Sequence, residues 1–459
     1  MTAPKTPDTP YAPPRIFGPE YRTATTGILL CVTLVAFEGM SVGVVMPVVS
    51  RELDALGLYG MSFSAFLIAG LFANVVAGLW SDRKGHALPF VAGIALFVVG
   101  MALAGAAVNK ELFVLARVVQ GLGGGSTVVA IYVMIARVYP PEARGKIFAG
   151  LSAAWVVPAM VGPAVAGLVA ETVGWRWVFY GICPLVVPAL LMLLPALRQS
   201  SHEPGSGAGS GALLRILTAA ATAAGAGLLL FGIDELHESP VMGAVETVGG
   251  LVLLALSLPR LLPKGALRLA RGLPTTIMMR GMYSAAFFGV NSFIPLVLTQ
   301  VQHFGTTQAG IALTTGALGW STGSYLQSRR ALAPERLLRL GAVAVLVGVL
   351  LTMLTALPSV SGWIAVPAWI AAGLGMGIAV TTVSVTMMKQ SPEAEQGKNS
   401  AALQVMDTLG SALAIGVGGA LINLIGHTPE QISVGFVVIA LLMGAVALGA
   451  VIAASRVRS

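Results

Sequence analysis

Apolar runs of about 20 residues, each long enough to cross a hydrocarbon core, follow one another from Ala24 to Val457 with only short polar breaks between them. The breaks predict six helices over about 24–50, 60–82, 86–108, 111–138, 143–171 and 174–198. Six more are predicted over about 274–302, 306–328, 335–356, 360–390, 396–426 and 431–455. Between these sets stand a Gly/Ser-rich stretch, RQSSHEPGSGAGSG, and two apolar segments, Leu213 to Leu236 and Val241 to Leu261, joined by DELHESP. The two segments have no counterpart in the first half and read as an inserted hairpin.

The halves are copies. Val118 to Lys146 (VVQGLGGGSTVVAIYVMIARVYPPEARGK) returns as Ile370 to Lys398 (IAAGLGMGIAVTTVSVTMMKQSPEAEQGK), in register at Gly121/Gly373, Gly123/Gly375, Gly125/Gly377, Pro140/Pro392 and Gly145/Gly397. A similar shift lays Pro47 on Pro295 and GLWSDRK on SYLQSRR. An even insertion keeps the second half in the orientation of the first, as a parallel repeat requires, and such repeats place a binding site where the halves meet. The expected fold is therefore an all-α membrane protein of fourteen transmembrane helices, two six-helix bundles plus an inserted hairpin. Its divisions are a disordered arm (1–23), an N-terminal bundle (24–198), a linker with the hairpin (199–272) and a C-terminal bundle (273–459).

Composition fits a lipid solvent: 56% of the residues are hydrophobic, 10% are charged, and the mean hydropathy is +0.86. The net charge of +8 would suit a nucleic-acid binder, but the placement of the cations argues against one. Of 27 Lys and Arg, only Arg51, Lys110 and Arg176 fall on one side and Arg117 and Arg280 within spans; the remaining 22 lie in the alternate loops and tails. That bias predicts a cell-membrane protein with both termini cytoplasmic. The Pro-rich start has no apolar core before a small-residue cleavage site, so the first span is expected to insert uncleaved. Cys31 and Cys183 fall inside spans and the five histidines do not cluster, so no metal, cofactor or disulfide is expected. No Ser/His or Asp pair, H-E-x-x-H or phosphate loop points to an enzyme.

Three motifs carry the candidate chemistry. GLWSDRKGH, Gly78 to His86, closes the second helix: Gly78 permits close helix approach, Gly85 a tight turn, and Asp82 is an anion that can face a helix N-terminus of the other half. RVVQGLGGG, Arg117 to Gly125, holds a guanidinium inside the fourth span, which is costly unless it faces a cavity or a carboxylate. Its Gly121 and Gly125 let backbones approach, and Gln120 belongs to the same helix-packing motif. PAMVGPAVAG, Pro158 to Gly167, places Pro163 between Gly162 and Gly167 in the fifth helix, where it removes a donor and kinks the chain.

Together these motifs resemble those of the major facilitator superfamily: G-x-x-x-D-R-x-G in the loop after the second helix, R-x-x-Q-G in the fourth, and G-x-x-x-G-P-x-x-G-G in the fifth. His86 stands where a basic residue is usual, Pro158 replaces the first glycine of the third motif and Ala166 its penultimate one. The fourteen spans narrow the resemblance to the drug:proton antiporter branch. It implies a monomeric secondary transporter exporting amphipathic small molecules across the bilayer in exchange for protons. Gly78, Asp82, Arg83, Gly85 and Arg144 would form a gate, Asp82 docking on the start of the helix at Gln396 to Asn399. Arg117 would line the cavity and communicate with the protonation site. Peptide symporters also use fourteen spans, but their acidic and basic cluster is absent from the first helix here.

Two carboxylates complete the set. Glu38 lies about 14 residues, or about 21 Å, into the first helix, and Asp407 about 11 residues into its own. Either could carry protons, because desolvation raises a buried carboxyl toward the working range, or could be a satisfied polar residue paired with Arg117. Proton coupling is favoured for Glu38; for Asp407 both readings stay open. Asn291 and Gln404, with Asn399 and Gln300, could add polar groups to a cavity walled by Trp155 and Trp320. Arg280 is expected to snorkel to the cytoplasmic interface, and Asp234, Glu235 and Glu238 to be solvated in the hairpin turn. Export of a lipid or an endogenous metabolite by the same fold, or a non-transporting membrane sensor, are the alternatives.

Overall fold

The computed structural model describes residues 16–198, 211–236, 239–329 and 332–458; the arm to residue 15, the Gly/Ser stretch and Glu238 lie outside them. The first half comprises α1 (Arg22–Glu52), α2 (Tyr59–Lys84), α3 (Ala87–Gly105), α4 (Lys110–Val138), α5 (Pro141–Thr172), α6 (Arg176–Tyr180) and α7 (Cys183–Arg198). The hairpin is α8 (Ala212–Glu235) and α9 (Pro240–Leu261). The second half comprises α10 (Leu273–Asn291), α11 (Ile294–Gln300), α12 (Thr306–Arg329), α13 (Pro334–Thr352), α14 (Ala365–Gln390), α15 (Gln396–Ile425) and α16 (Pro429–Ala453).

Two predicted spans are broken, each just ahead of a proline, although α1 and α5 run on through Pro47, Pro158 and Pro163. The sixth parts into α6 and α7 after Tyr180, and the ninth into α10 and α11 after Asn291. Pro184 and Pro295 stand four residues after these breaks, and a proline ring clashes with the carbonyl four residues before it. Counting each broken pair as one crossing gives fourteen, of which thirteen are apolar enough to cross a membrane by composition. The exception is α12, rich in Thr, Ser and Gly. Its hydroxyls turn back on the backbone, as Thr314 on Gly310 O (3.1 Å) and Thr322 on Leu318 O (2.8 Å), and Ser324 bonds Gly377 O of α14 (3.2 Å). Bonded in this way, its polar groups are satisfied within the protein.

The repeat is visible in the packing. A Cβ on Gly121 or Gly125 of α4 would overlap the backbone of α2 at Phe66 and Gly70, and one on Gly123 would overlap α3 at Phe97. In the second half Gly373 and Gly377 of α14 meet α12 at Gly316 and Trp320, and Gly375 meets α13 at Gly341. Backbone-to-backbone contact of this kind is how helices associate where lipid is as apolar as leucine. The hairpin closes on a glycine seam of its own, Gly225 against Gly250 and Gly232 against Gly243, and α8 leans on both α2 and α15.

The halves meet at the end remote from the chain termini. There Gly60 of α2 faces Gly419 of α15, where a Cβ would lie 2.6 Å from Ile415 O. Tyr59 donates to Ser292 O (2.9 Å) and Ser64 to Ala412 O (2.7 Å). One apolar core runs across both halves here, joining Val45 and Met46 to Ile294 and Val297. At the terminal end the first half keeps a separate core, Ile28, Ile94, Ile135, Ile147 and Leu193, with no second-half member among the described residues.

Candidate functional site

Glu38 sits at the middle of α1, with the apolar neighbours Val35 and Val42 one turn to either side. Its Oε1 accepts from Arg117 Nη1, and the pair is almost wholly buried, at 1% and 2% exposure. Arg117 is held from three further directions. Its Nη1 also donates to Gln120 Oε1 (2.6 Å), its Nε to Ser62 O (3.1 Å), and its guanidinium lies 4.6 Å from the centre of the Phe66 ring. Glu38 Oε2 and Gln120 Nε2, by contrast, are buried without a partner among the described residues. One carboxyl oxygen is thus fixed to a cation and the other is left without a partner among the described residues. A buried pair of this kind carries a large desolvation cost that stability alone does not favour.

Asp407 does not join this cluster. Arg280 holds it in a bidentate pair, Nε to Oδ1 at 2.8 Å and Nη2 to Oδ2 at 3.1 Å, and Ser284 donates to the same Oδ1. The snorkelling expected of Arg280 is therefore corrected: a carboxylate one helix away satisfies the guanidinium, so it has no need to reach the interface. Unlike the first pair, this one is partly exposed, 15% for the Arg280 side chain and 20% for that of Asp407.

The remaining polar candidates divide. Asn291 accepts from Trp369 Nε1 (3.0 Å), and Trp369 occupies in α14 the place Arg117 has in α4. The residue at this place is thus tied to the first helix of its half by an ion pair in one half and by a neutral hydrogen bond in the other. Trp320, Phe287, Phe288 and Trp369 form one aromatic cluster, Phe287 stacking on Trp369 at 4.7 Å. Gln404 is exposed beside Thr408, and Gln300 is half-buried. Asn399 is buried and donates to Ser391 Oγ (3.0 Å), tying down the turn before α15. Trp155 is 39% exposed on α5 and stands apart from the aromatic cluster. Asp234 is half-buried and accepts from Asn423 Nδ2 of α15 (2.9 Å), a correction to the solvated turn expected of it.

In the gate motif, Gly85 has φ 79°, ψ 174°, a conformation open to glycine, as its turn requires. Gly78 is not a close-approach point here, since a Cβ would sit 3.8 Å from Val129. Asp82 and Arg83 are exposed and bond no described residue, so the docking on Gln396 to Asn399 is not made in this conformation. Arg144 caps α4 by donating to Ala136 O (2.5 Å) and Tyr139 O (3.0 Å). His86 is buried beneath the turn; burial, and then the charge of Arg137, lower its pKa.

The third motif forms part of the far-end seal. A Cβ on Gly167 would lie 2.7 Å from Thr306 O, and Pro163 O abuts Gly310, whereas Gly162 makes only ordinary contact with Ser41. The α5 helix runs unbroken through Pro158 and Pro163. Four residues after Gly167, Glu171 Oε1 accepts from Thr307 N (3.0 Å) and its Oε2 from Thr307 Oγ1 (2.5 Å), so an acid of one half caps the first turn of a helix in the other. Sequence reasoning did not single out Glu171, Tyr59 or Ser64, because each reads alone as an ordinary polar residue near a helix end.

The sequence profile of the Major Facilitator Superfamily matches residues 28–415. Multidrug resistance protein 3 of Bacillus subtilis (strain 168) is 21% identical over 408 residues, covering 86% of this chain and 78% of that protein. Puromycin resistance protein pur8 of Streptomyces alboniger is 28% identical over 429 residues, covering 87% and 80%. Among solved structures, a peptide transporter POT in complex with sulfate superposes with a TM-score of 0.69 at 15% identity, over 97% of this chain and 96% of that one. At that identity the likeness is one of fold.

Proposed function

The chain belongs to the Major Facilitator Superfamily, and on that premise we propose that it exports amphipathic small molecules across the cell membrane in exchange for protons, by alternating access. Relatives named for multidrug and puromycin resistance support the export of drug-like cargo. The observation that carries proton coupling is Glu38, fully buried, with one oxygen on Arg117 and the other unpartnered. Protonation of Oε2 would neutralise the acid and weaken its hold on Arg117, and the two states of that bond are the switch.

With both termini cytoplasmic, as the basic loops imply, the conformation sealed at the remote end is the inward-open one. Cargo enters between the halves from the cytoplasm. Rocking then breaks the far-end contacts of Gly60, Gly167 and Glu171 and brings Asp82 to the N-terminus of α15. Cargo leaves, a proton arrives at Glu38, and the bundle returns. Each proton moved through the field contributes about 2.3 kcal/mol per 100 mV.

The test is proton movement in proteoliposomes holding a pH-sensitive dye, with lipophilic cations, zwitterions and neutral drugs added, for wild type and Glu38→Gln in parallel. Substrate should collapse an imposed pH gradient with Glu38 and leave it intact with Gln. Equal collapse in the variant would remove Glu38 as carrier, and no collapse with any compound would remove drug:proton exchange.

A further inference from the structure

Besides the exposed Arg176–Glu52 pair at the remote end, two ion pairs lie deep in the helices; they differ in access, and the difference assigns the second one a task. Glu38 and Arg117 are sealed within the first half, whereas Arg280 and Asp407 are partly exposed. What exposes them follows from α15. One face, Val405, Leu409 and Ala412, packs on α2 and on the hairpin at Leu229 and Leu254, and another, Met406 and Gly410, packs on α10 at Gly281. Gln404, which is exposed, Asp407 and Thr408, which are half-buried, and the buried Ser411 form the stripe outside those two faces. On α10, Arg280, Ser284, Phe287 and Asn291 follow at i, i+4, i+7 and i+11 along one face, leading from the ion pair to the aromatic cluster around Trp320.

We propose that Arg280 and Asp407 are the charge filter of the cavity, and that together they select amphipathic molecules with a zwitterionic head, anion on Arg280 and cation on Asp407, while the apolar body rests on the aromatic cluster. The proposal rests on reading the space between the halves as the path of the cargo and this stripe of α15 as part of its wall. The argument is one of charge balance. A head with a single positive charge would take Asp407 and leave Arg280 uncompensated in a poorly solvated site, and a single negative charge would strand Asp407. A head carrying both charges exchanges pair for pair and strands neither. The guanidinium offers more N–H donors than the two used on Asp407, so it can receive an anion without first losing its partner.

The experiment uses the full chain in lipid nanodiscs and four radiolabelled probes on one scaffold: 2-naphthylalanine (zwitterion), its amide (cation), its N-acetyl acid (anion) and its N-acetyl amide (uncharged). Equilibrium binding should favour the zwitterion over either singly charged probe by about tenfold or more in the wild type. Asp407→Asn should bind the anion above the cation, and Arg280→Gln the cation above the anion. The exchanged double variant Arg280→Asp/Asp407→Arg keeps a pair and should rank the probes as the wild type does, which separates the filter from a loss of folding. An unchanged ranking across these proteins, a wild type that binds a singly charged probe as well as the zwitterion, or no binding of any probe would overturn the assignment. Because binding is read without a gradient, a flat ranking alongside intact drug-driven proton flux removes the filter alone. The reverse result removes only proton exchange.

Discussion

Arg117 Nη1 serves two oxygens at once, Glu38 Oε1 and Gln120 Oε1, and all three side chains are buried within the first half. Removing one partner of such a buried pair costs about 3–5 kcal/mol, because the survivor keeps its desolvation penalty, while removing both charges is often neutral. Arg117→Met should therefore lower the thermal unfolding midpoint in detergent strongly. Glu38→Gln, which keeps an oxygen for Arg117, should lower it less, and the double variant should recover most of the loss of Arg117→Met. Strict additivity of the two single effects would mean that the side chains are not coupled.

The far-end seal makes a second prediction. At Gly419 an added Cβ would lie 2.5 Å from the Cα of Gly60, so the two helices cannot keep their separation around a larger residue. Gly419→Val should disfavour the conformation described and populate the one open at the remote end. With Ser64→Cys as reporter, thiol labelling from that side should rise several-fold over the same cysteine in the parent background. Unaltered labelling would mean that the seal has slack that the glycine contact does not reveal.

Much of this architecture is legible in the sequence, and the part that is not has a common cause. Span count, hairpin and repeat follow from apolar length and glycine register, which are local or periodic properties. Glu38 and Arg117 stand out because a charge inside an apolar run needs a partner. The partner of Asp407 is not legible, since Arg280 lies 127 positions away and close enough to a span boundary to pass as a snorkelling cation. Glu171 is harder still: it is one acid near a helix end, and only the superposed halves bring Thr307 to it. Pairings within a motif can be read from the chain, whereas those between helices of distant order depend on how the bundles dock.

His86 yields a pH dependence. Burial, with Arg137 beside it, holds its pKa below the ordinary histidine value of 6.5. The unfolded chain then binds more protons in this range than the folded one, so stability rises with pH. The contribution is complete above about pH 6.5 and is lost as the pH falls through the lowered folded value. Wild type should lose more of its unfolding midpoint between pH 7.5 and 5.5 than His86→Phe, which has nothing to protonate there. Parallel pH profiles for the two proteins would show that His86 takes up its proton without penalty.

On the alternating-access reading proposed above, Asp82 and Glu171 serve opposite ends of one motion, and their variants should act in opposite senses. Glu171 is bonded across the halves in this conformation, whereas Asp82 is exposed and bonds no described residue. Glu171→Ala removes two hydrogen bonds to a charged acceptor, and with solvent near, about 1–2 kcal/mol of support for the far-end seal goes with them. That shifts the balance about 5- to 30-fold toward the state open at the remote end. Asp82→Asn removes nothing that the present conformation uses; it weakens the opposite state, in which the acid would meet the N-terminus of α15 at about 0.3–1 kcal/mol. Distances between spin labels at the terminal ends of α5 and α12 would report both. Glu171→Ala should enrich the short distance and Asp82→Asn the long one, and movement of both variants in the same direction would mean that the two acids do not serve opposed gates.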